Sequence, residues 1–451
     1  MYFKPNHFII LLLSILPYFQ VQSQIGKRFA SERKVIKDSV TGNTLIFLTS
    51  KTGGDHKIYP THNQWTSDGQ WLIFQSGRVK GEALAVNEHT GEMVQVTEGG
   101  FQGMLNVARK SMNLYFARRH SKDTADKSLD VIEVDLANLF TDSKSGKLKS
   151  ADTYQKICGT TPSEIGASGD MALDGGEEWI WFRIGKTEAQ KHLPEGIKME
   201  ESFGPRKMGA GPSGIAGMNI KTGEIRHVIS VPFQIGHIQS NPWVPGQIVF
   251  CWETGGKSPQ RTWIVKSDGT GLRPLYPESE YEWVTHEAVI SPDEVAFAIM
   301  GHRKIRNDTL KAETGTDVNG ANPGQEPEWG PSGTREKPTG LAVVNINTRE
   351  MFIAGQTPSG SGLWHVSGSP DKRFLVGDDF ARNIYLIDRH THEMILLSAG
   401  HKTTASDHTH PTFSSDGTKI EIQSAMLSKD NKSLNICVIP VPEKWLKRKY
   451  K

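Results

Sequence analysis

Apolar residues in this chain come in short bursts, as in Thr44-Leu45-Ile46-Phe47, Trp71-Leu72-Ile73-Phe74, Trp179-Ile180-Trp181-Phe182 and Ile248-Val249-Phe250. Gly, Asp, Asn and Pro separate the bursts. Short apolar runs between such turns predict β-strands joined as antiparallel hairpins. Long helical periodicities are scarce, so the predicted class is all-β.

The bursts repeat. A polar or histidine start is followed by a turn, often Ser-Asp-Gly or Ser-Pro-Asp, and then by an alternating apolar strand. Copies run from His62 to Phe74, Leu105 to Phe116, Met171 to Phe182, His237 to Phe250, His286 to Phe297, His365 to Val376 and His410 to Ile422. Most are followed by a second strand pair, as in Ala83 to Val96 around Thr90-Gly91 and Thr262 to Leu275 around Asp268-Gly269. Each copy thus predicts a four-stranded sheet, and the series predicts a seven-bladed β-propeller. The strand from Thr44 to Thr49 is expected to complete the C-terminal blade and close the ring. Two stretches break the rhythm, 185–213 and 302–338, and are expected to be insertions overhanging one face.

Composition adds the compartment. A short basic head, an apolar run from Phe8 to Leu16 and Val21-Gln22-Ser23 predict a signal peptide over 1–23. The run is too short to span a bilayer, which takes about 20 apolar residues. Residues 24–451 are then one propeller domain in the periplasm or outside the cell, without membrane insertion. A net charge of +2 with scattered positive residues gives no nucleic-acid surface. Cys158, Cys251 and Cys437 lack metal-like spacing; they read as buried small residues or as one disulfide and a free thiol.

The innermost strand of each propeller blade lines the central channel, and the repeat begins on that strand. Five copies open on histidine: His62, His237, His286, His365 and His410, from 16 histidines in all. Chance alone would not set so many in one phase. They predict imidazoles converging on one mouth of the channel, some binding metal and one doing acid/base work. Asp407-His408-Thr409-His410-Pro411-Thr412-Phe413 strengthens this. On an extended strand His408 and His410 share a face while Thr409 turns away, and paired imidazoles suit divalent transition metals.

Three segments resemble the oligogalacturonate lyases of polysaccharide lyase family twenty-two. They are Gly236-His237 with Ile248-Val249-Phe250-Cys251 and Arg261-Thr262-Trp263; Thr285-His286-Glu287; and Asp407 to Phe413. The resemblance implies a seven-bladed propeller that binds a divalent metal, typically Mn²⁺, and cleaves uronate-containing oligosaccharides by β-elimination. It implies His286, His408 and His410 as metal ligands and His237 as the general base. The expected substrate contacts are Arg261, Arg183, Trp252, His62 and His365. Departures from the family pattern are equally visible. Ala405 stands where the family has a glutamine, leaving a fourth ligand to water, substrate, Asp407 or His365. Gly214 to Gly217 holds no arginine where the family has one that binds carboxylate. Trp252 replaces the histidine of a Cys-His-Glu triplet, and a channel-facing Trp252 would stack on a sugar. The rival expectation is a non-catalytic periplasmic propeller that binds a peptide or protein in its channel.

Overall fold

The computed structural model describes residues 24–202, 206–256, 258–279, 282–300, 339–355 and 363–450. The predicted signal peptide and the 302–338 insertion lie outside the described residues. Strands dominate, in seven antiparallel sheets arranged in chain order around a channel. Blades 1 to 7 have innermost strands Asp55–Lys57, Gln102–Val107, Met171–Leu173, Ile235–Ser240, Trp283–Ser291, Val366–Gly368 and Thr412–Phe413. The expected propeller is the fold observed.

Period-two alternation explains why the strands are so apolar. In Trp71–Ser76 of blade 1, Leu72 and Phe74 pack toward Ile436 and Val438 of blade 7. Ile73 points the other way, into a cluster with Leu114 and Phe116 of blade 2. The same arrangement fills the gap between each neighbouring pair of blades. Both faces of a blade are therefore buried, and a half-polar strand would leave one gap unfilled.

The ring closes as expected. Thr44–Phe47 pairs with Asn435–Pro440 through Ile46 opposite Val438 and Phe47 opposite Cys437, and Lys34–Lys37 adds an outer strand. Asp38, just after that outer strand, accepts hydrogen bonds from Ser398 Oγ at 2.8 Å and Ala399 N at 2.9 Å, tying the closure to blade 6. One segment differs from the sequence reading. Part of the 185–213 stretch is regular, with a helix at Lys186–Lys191 and the strand Ala210–Asn219 beginning inside it. All three cysteines are free thiols.

The innermost strands are irregular where they carry the ring histidines. Blade 4 shifts register between Gly236 and Gln239, and blade 5 between Thr285 and Ala288. His237 and His286 sit in these bulges with φ of 47° and 52°, and His410 has φ of 51° just ahead of Thr412–Phe413. A bulge re-aims the side chain it carries. Left-handed backbone at a residue other than glycine costs on the order of 1–3 kcal/mol, and such strain gathers at functional sites.

Closure by Phe47 is testable. Its side chain is fully buried between blades 6 and 7. Phe47→Ala should lower unfolding free energy in denaturant titration by about 3–5 kcal/mol; a loss well under 1 kcal/mol would mean that this strand does not carry the closure.

Candidate active site

Each bulge faces its histidine into the channel mouth. The His365 ring lies 4.3 Å from that of His286, 4.0 Å from that of His410 and 5.1 Å from that of His408, centroid to centroid. His237 stands 6.4 Å from His286 on the other side. Blades 4, 5, 6 and 7 thus contribute to one cluster. His408 and His410 reach it differently from expectation. They lie ahead of the short strand Thr412–Phe413 rather than on an extended one, and the left-handed turn at His410 sets its ring. Thr409 does not turn away from them: its hydroxyl donates at 2.7 Å to Asp378 Oδ2, on the same carboxylate that His365 and His408 approach.

Charge divides the cluster in two. Glu287 follows His286 in the chain and points instead toward blade 4. Its carboxylate accepts from Arg261 Nε at 2.8 Å and lies 3.1 Å from His237 Nδ1. Arg261 Nη2 is also 3.3 Å from that nitrogen, but Nδ1 cannot donate to Glu287 and accept from Arg261 at once. The shorter, charged partner prevails, so Nδ1 carries the proton, while Nε2 stands 3.6 Å from Glu253 Oε2. Burial disfavours the cation at His237, but the Glu287 hydrogen bond and charge outweigh it and raise the pKa above the ordinary value. Burial also works against the Glu287 carboxylate, and Arg261 and His237 overcome it, holding its pKa far down.

The other imidazoles are kept neutral. Burial, reinforced by neighbouring cations and imidazoles, lowers His286 and His365 well below the usual histidine range. Burial likewise lowers His408, and takes His410 down to about 3. Neutral imidazole is the form that ligates metals. Titratable groups pushed in opposite directions mark different roles.

Part of the neutral side fits a divalent cation, in a grouping that takes in His408 but, among the described residues, neither His286 nor His410. Ligand atoms of His365, Asp378 and His408 lie within 4.8 Å of one another. His408 Nδ1 is buried, 4.0 Å from Asp378 Oδ2, with no hydrogen-bond partner among the described residues. Leaving such an atom unmet is costly, and a cation would satisfy it. Asp378 accepts from the His365 backbone at 2.7 Å and lies 3.1 Å from His365 Nδ1, fixing that ring so that Nε2 is free. Arg382 pins the preceding loop through the carbonyls of Thr403, Ala405 and Asp407. A second grouping, His237, Cys251 and Glu253, is less suited. Burial keeps the Cys251 thiol protonated, and the Arg261 guanidinium stands beside it.

The expected substrate contacts fare unevenly. His365 is at the centre of the imidazoles, and Arg261 lies behind His237, buried and paired with Glu287 and Glu253. Trp252 does not face the channel. Cys251 and Glu253 point to the His237 side, so alternation sends Trp252 between blades 3 and 4, stacked on Phe233 at 4.9 Å. Arg183 donates to the Ile235 carbonyl at 3.0 Å and so holds the strand bearing His237. His62 is 2.8 Å from the Met171 carbonyl across the channel and 2.8 Å from Thr61 Oγ1, so both ring nitrogens are engaged. The sequence reading passed over Glu287, Asp378, Trp364 and Tyr59. Trp364, half-buried, packs 4.3 Å from His286. Tyr59 lies 5.2 Å from His237 and 5.3 Å from His410, ring to ring. Neither belongs to a repeated motif, so only the assembled ring reveals them.

Fold and site together define a propeller with one mouth ringed by imidazoles. The curated oligogalacturonate lyase of Dickeya dadantii (strain 3937) is 23% identical over 287 residues, 62% of this chain and 66% of that relative. The match thus spans just under two thirds of the relative's length. A solved oligogalacturonate lyase in complex with manganese superposes with a TM-score of 0.67 at 16% identity, covering 94% of this chain and all of that one. The oligogalacturonate lyase of Vibrio parahaemolyticus gives 0.67 at 17% identity, with 94% of this chain covered. No family model matches. The chain resembles the oligogalacturonate lyases in sequence, and the solved structures share its seven-bladed fold.

The charge division makes a direct prediction. Glu287→Gln removes the carboxylate that raises His237, so the His237 pKa, read by NMR titration of its ring, should fall. An unchanged value would mean that Glu287 does not set the protonation of this histidine.

Proposed function

We propose that this protein is a metal-dependent lyase that cleaves uronate-containing oligosaccharides by β-elimination, with His237 as general base. The observation that carries this reading is the division of one imidazole cluster into a raised His237 and a neutral set. A proton-abstracting lyase needs both halves. Uronates have a carboxylate beside C5, and that C5–H is only weakly acidic.

His286, His408 and His410, with His365 as fourth donor in place of the side chain that Ala405 lacks, would hold the cation. Imidazole donors suit first-row transition metals, and the Mn²⁺ of the structural neighbour makes manganese the first ion to try. When bound, the cation supplies Lewis-acid charge at the uronate carboxylate. The chain's own residues do the rest. Glu287 fixes His237 with its proton on Nδ1, leaving Nε2 to take the C5 proton. Arg261 holds Glu287 in place and keeps it ionised as Nε2 becomes protonated. A base with a raised pKa is a stronger proton acceptor, and its acidic rate limb moves up in pH accordingly. Departure of the C4 oxygen completes a C4–C5 double bond. The resemblance to lyases acting on oligogalacturonate supports galacturonate as the first substrate to test. A signal peptide would place the enzyme in the periplasm or outside the cell.

Uronate oligosaccharides incubated with the protein and Mn²⁺ should yield an unsaturated product with new ultraviolet absorbance, and chelation should abolish it. His237→Ala should retain bound metal and lose a factor of about 10²–10⁴ in kcat. Glu287→Gln should move the acidic limb of the wild-type pH–rate profile to lower pH. Absence of unsaturated product across a uronate panel would favour the peptide-binding propeller, and near-normal turnover in His237→Ala would exclude this base.

A further inference from the structure

β-Elimination from a sugar needs a proton donor as well as a base, because a sugar alkoxide is a poor leaving group. His237 accepts a proton, and Glu253 and Glu287 are ionised by their neighbours, Arg261 chief among them. The neutral imidazoles are committed to the cation on the reading above. What stands between the two halves of the cluster is Tyr59.

Tyr59 comes from blade 1, just after Asp55–Lys57, and reaches across the channel mouth. Its ring meets three imidazoles edge-on or tilted: His237 at 5.2 Å, His410 at 5.3 Å and His365 at 6.2 Å. It lines a cavity of about 240 Å³ together with Lys57, Met104, Asp407 and His410. Tyr59 is half-buried, and its hydroxyl is not among the shut-in polar atoms of the described residues that lack a partner, which leaves it open to water or ligand. A tyrosine whose ring packs 5.2 Å from that of the base and which also lines a cavity carries an O–H donor suited to proton delivery.

We propose that Tyr59 is the general acid that protonates the departing C4 oxygen. The proposal rests on the lyase reading above. In the step, His237 Nε2 takes the C5 proton and the C5–H electron pair becomes the C4–C5 double bond. The C4–O bond breaks with its electrons passing to oxygen, and the Tyr59 hydroxyl proton goes to that oxygen, releasing a neutral sugar alcohol. The Tyr59 phenolate then regains a proton from the His237 imidazolium, so no proton is gained or lost over the cycle.

Tyr59→Phe keeps the ring and its contacts and removes only the donor. The full chain with Mn²⁺ is assayed on oligogalacturonate and on a galacturonide whose C4 substituent is fluoride or nitrophenoxide, which leaves without protonation. Tyr59→Phe should lose a factor of about 10²–10⁴ in kcat on the oligosaccharide, keep near wild-type turnover on the activated substrate, and bind Mn²⁺ unchanged. Equal rates for wild type and variant on the oligosaccharide would overturn the assignment. So would an equal loss on both substrates, or loss of Mn²⁺, since either makes Tyr59 a structural residue. A wild-type protein inactive on both substrates would instead overturn the lyase reading, and the assignment with it.

Discussion

A carboxylate shut away from water beside one histidine, and not beside the others, sets the chemistry at this channel mouth. Glu287 has its side chain fully buried, and an ion so placed costs several kcal/mol unless it is paired and hydrogen-bonded. Arg261 at 2.8 Å and His237 at 3.1 Å meet that cost. The pairing crosses from blade 5 to blade 4, so it joins neighbouring sheets as well as ordering His237. His286 and Glu287 are adjacent in sequence, and the bulge that carries them sends one to the imidazole cluster and the other to the arginine. Two consecutive residues thereby serve opposite halves of the site.

Asp378 plays the matching part on the far side. It receives the His365 backbone, the Thr409 hydroxyl and the His410 backbone N–H, the last at 3.3 Å, and so joins blade 6 to the loop leading into blade 7. With its rings held by these contacts, the neutral cluster is arranged before any ion arrives. Preorganisation of this kind is what supporting groups around a metal provide. The strained φ values at His237, His286 and His410 belong to the same design, since regular strands would not aim all three inward.

Much of the fold could be read from residues alone because blade strands are buried on both faces and their turns are spelled in Gly and Asp. The run from His286 to Phe297 announces both its strand start and its hairpin. Ring closure by Thr44–Phe47 was equally visible, since a C-terminal blade short of a strand needs one from elsewhere. The histidines were legible for the same reason, as they recur in phase with the repeat. Their supports were not. Charge in a sequence does not show its partner: in the fold Arg261 pairs with Glu287 and Glu253, and Arg183 donates to the Ile235 carbonyl. Trp252 lies one residue of alternation from a channel-facing position, and that single step moves its side chain from the Cys251–Glu253 side to the space between blades. Tyr59, in a turn of blade 1, acquires meaning only from rings contributed by blades 4, 6 and 7.

The central claim is that the neutral imidazoles form a metal-binding donor set distinct from the base. Electron paramagnetic resonance of Mn²⁺ titrated into the full chain tests it most directly, because nitrogen couplings report imidazole ligation. The account predicts a single tightly bound Mn²⁺ coupled to several histidine nitrogens, retained in His237→Ala and lost when His408 and His410 are both replaced by alanine. A spectrum of free aqueous Mn²⁺ with the wild type, or unchanged nitrogen couplings in the double variant, would contradict it.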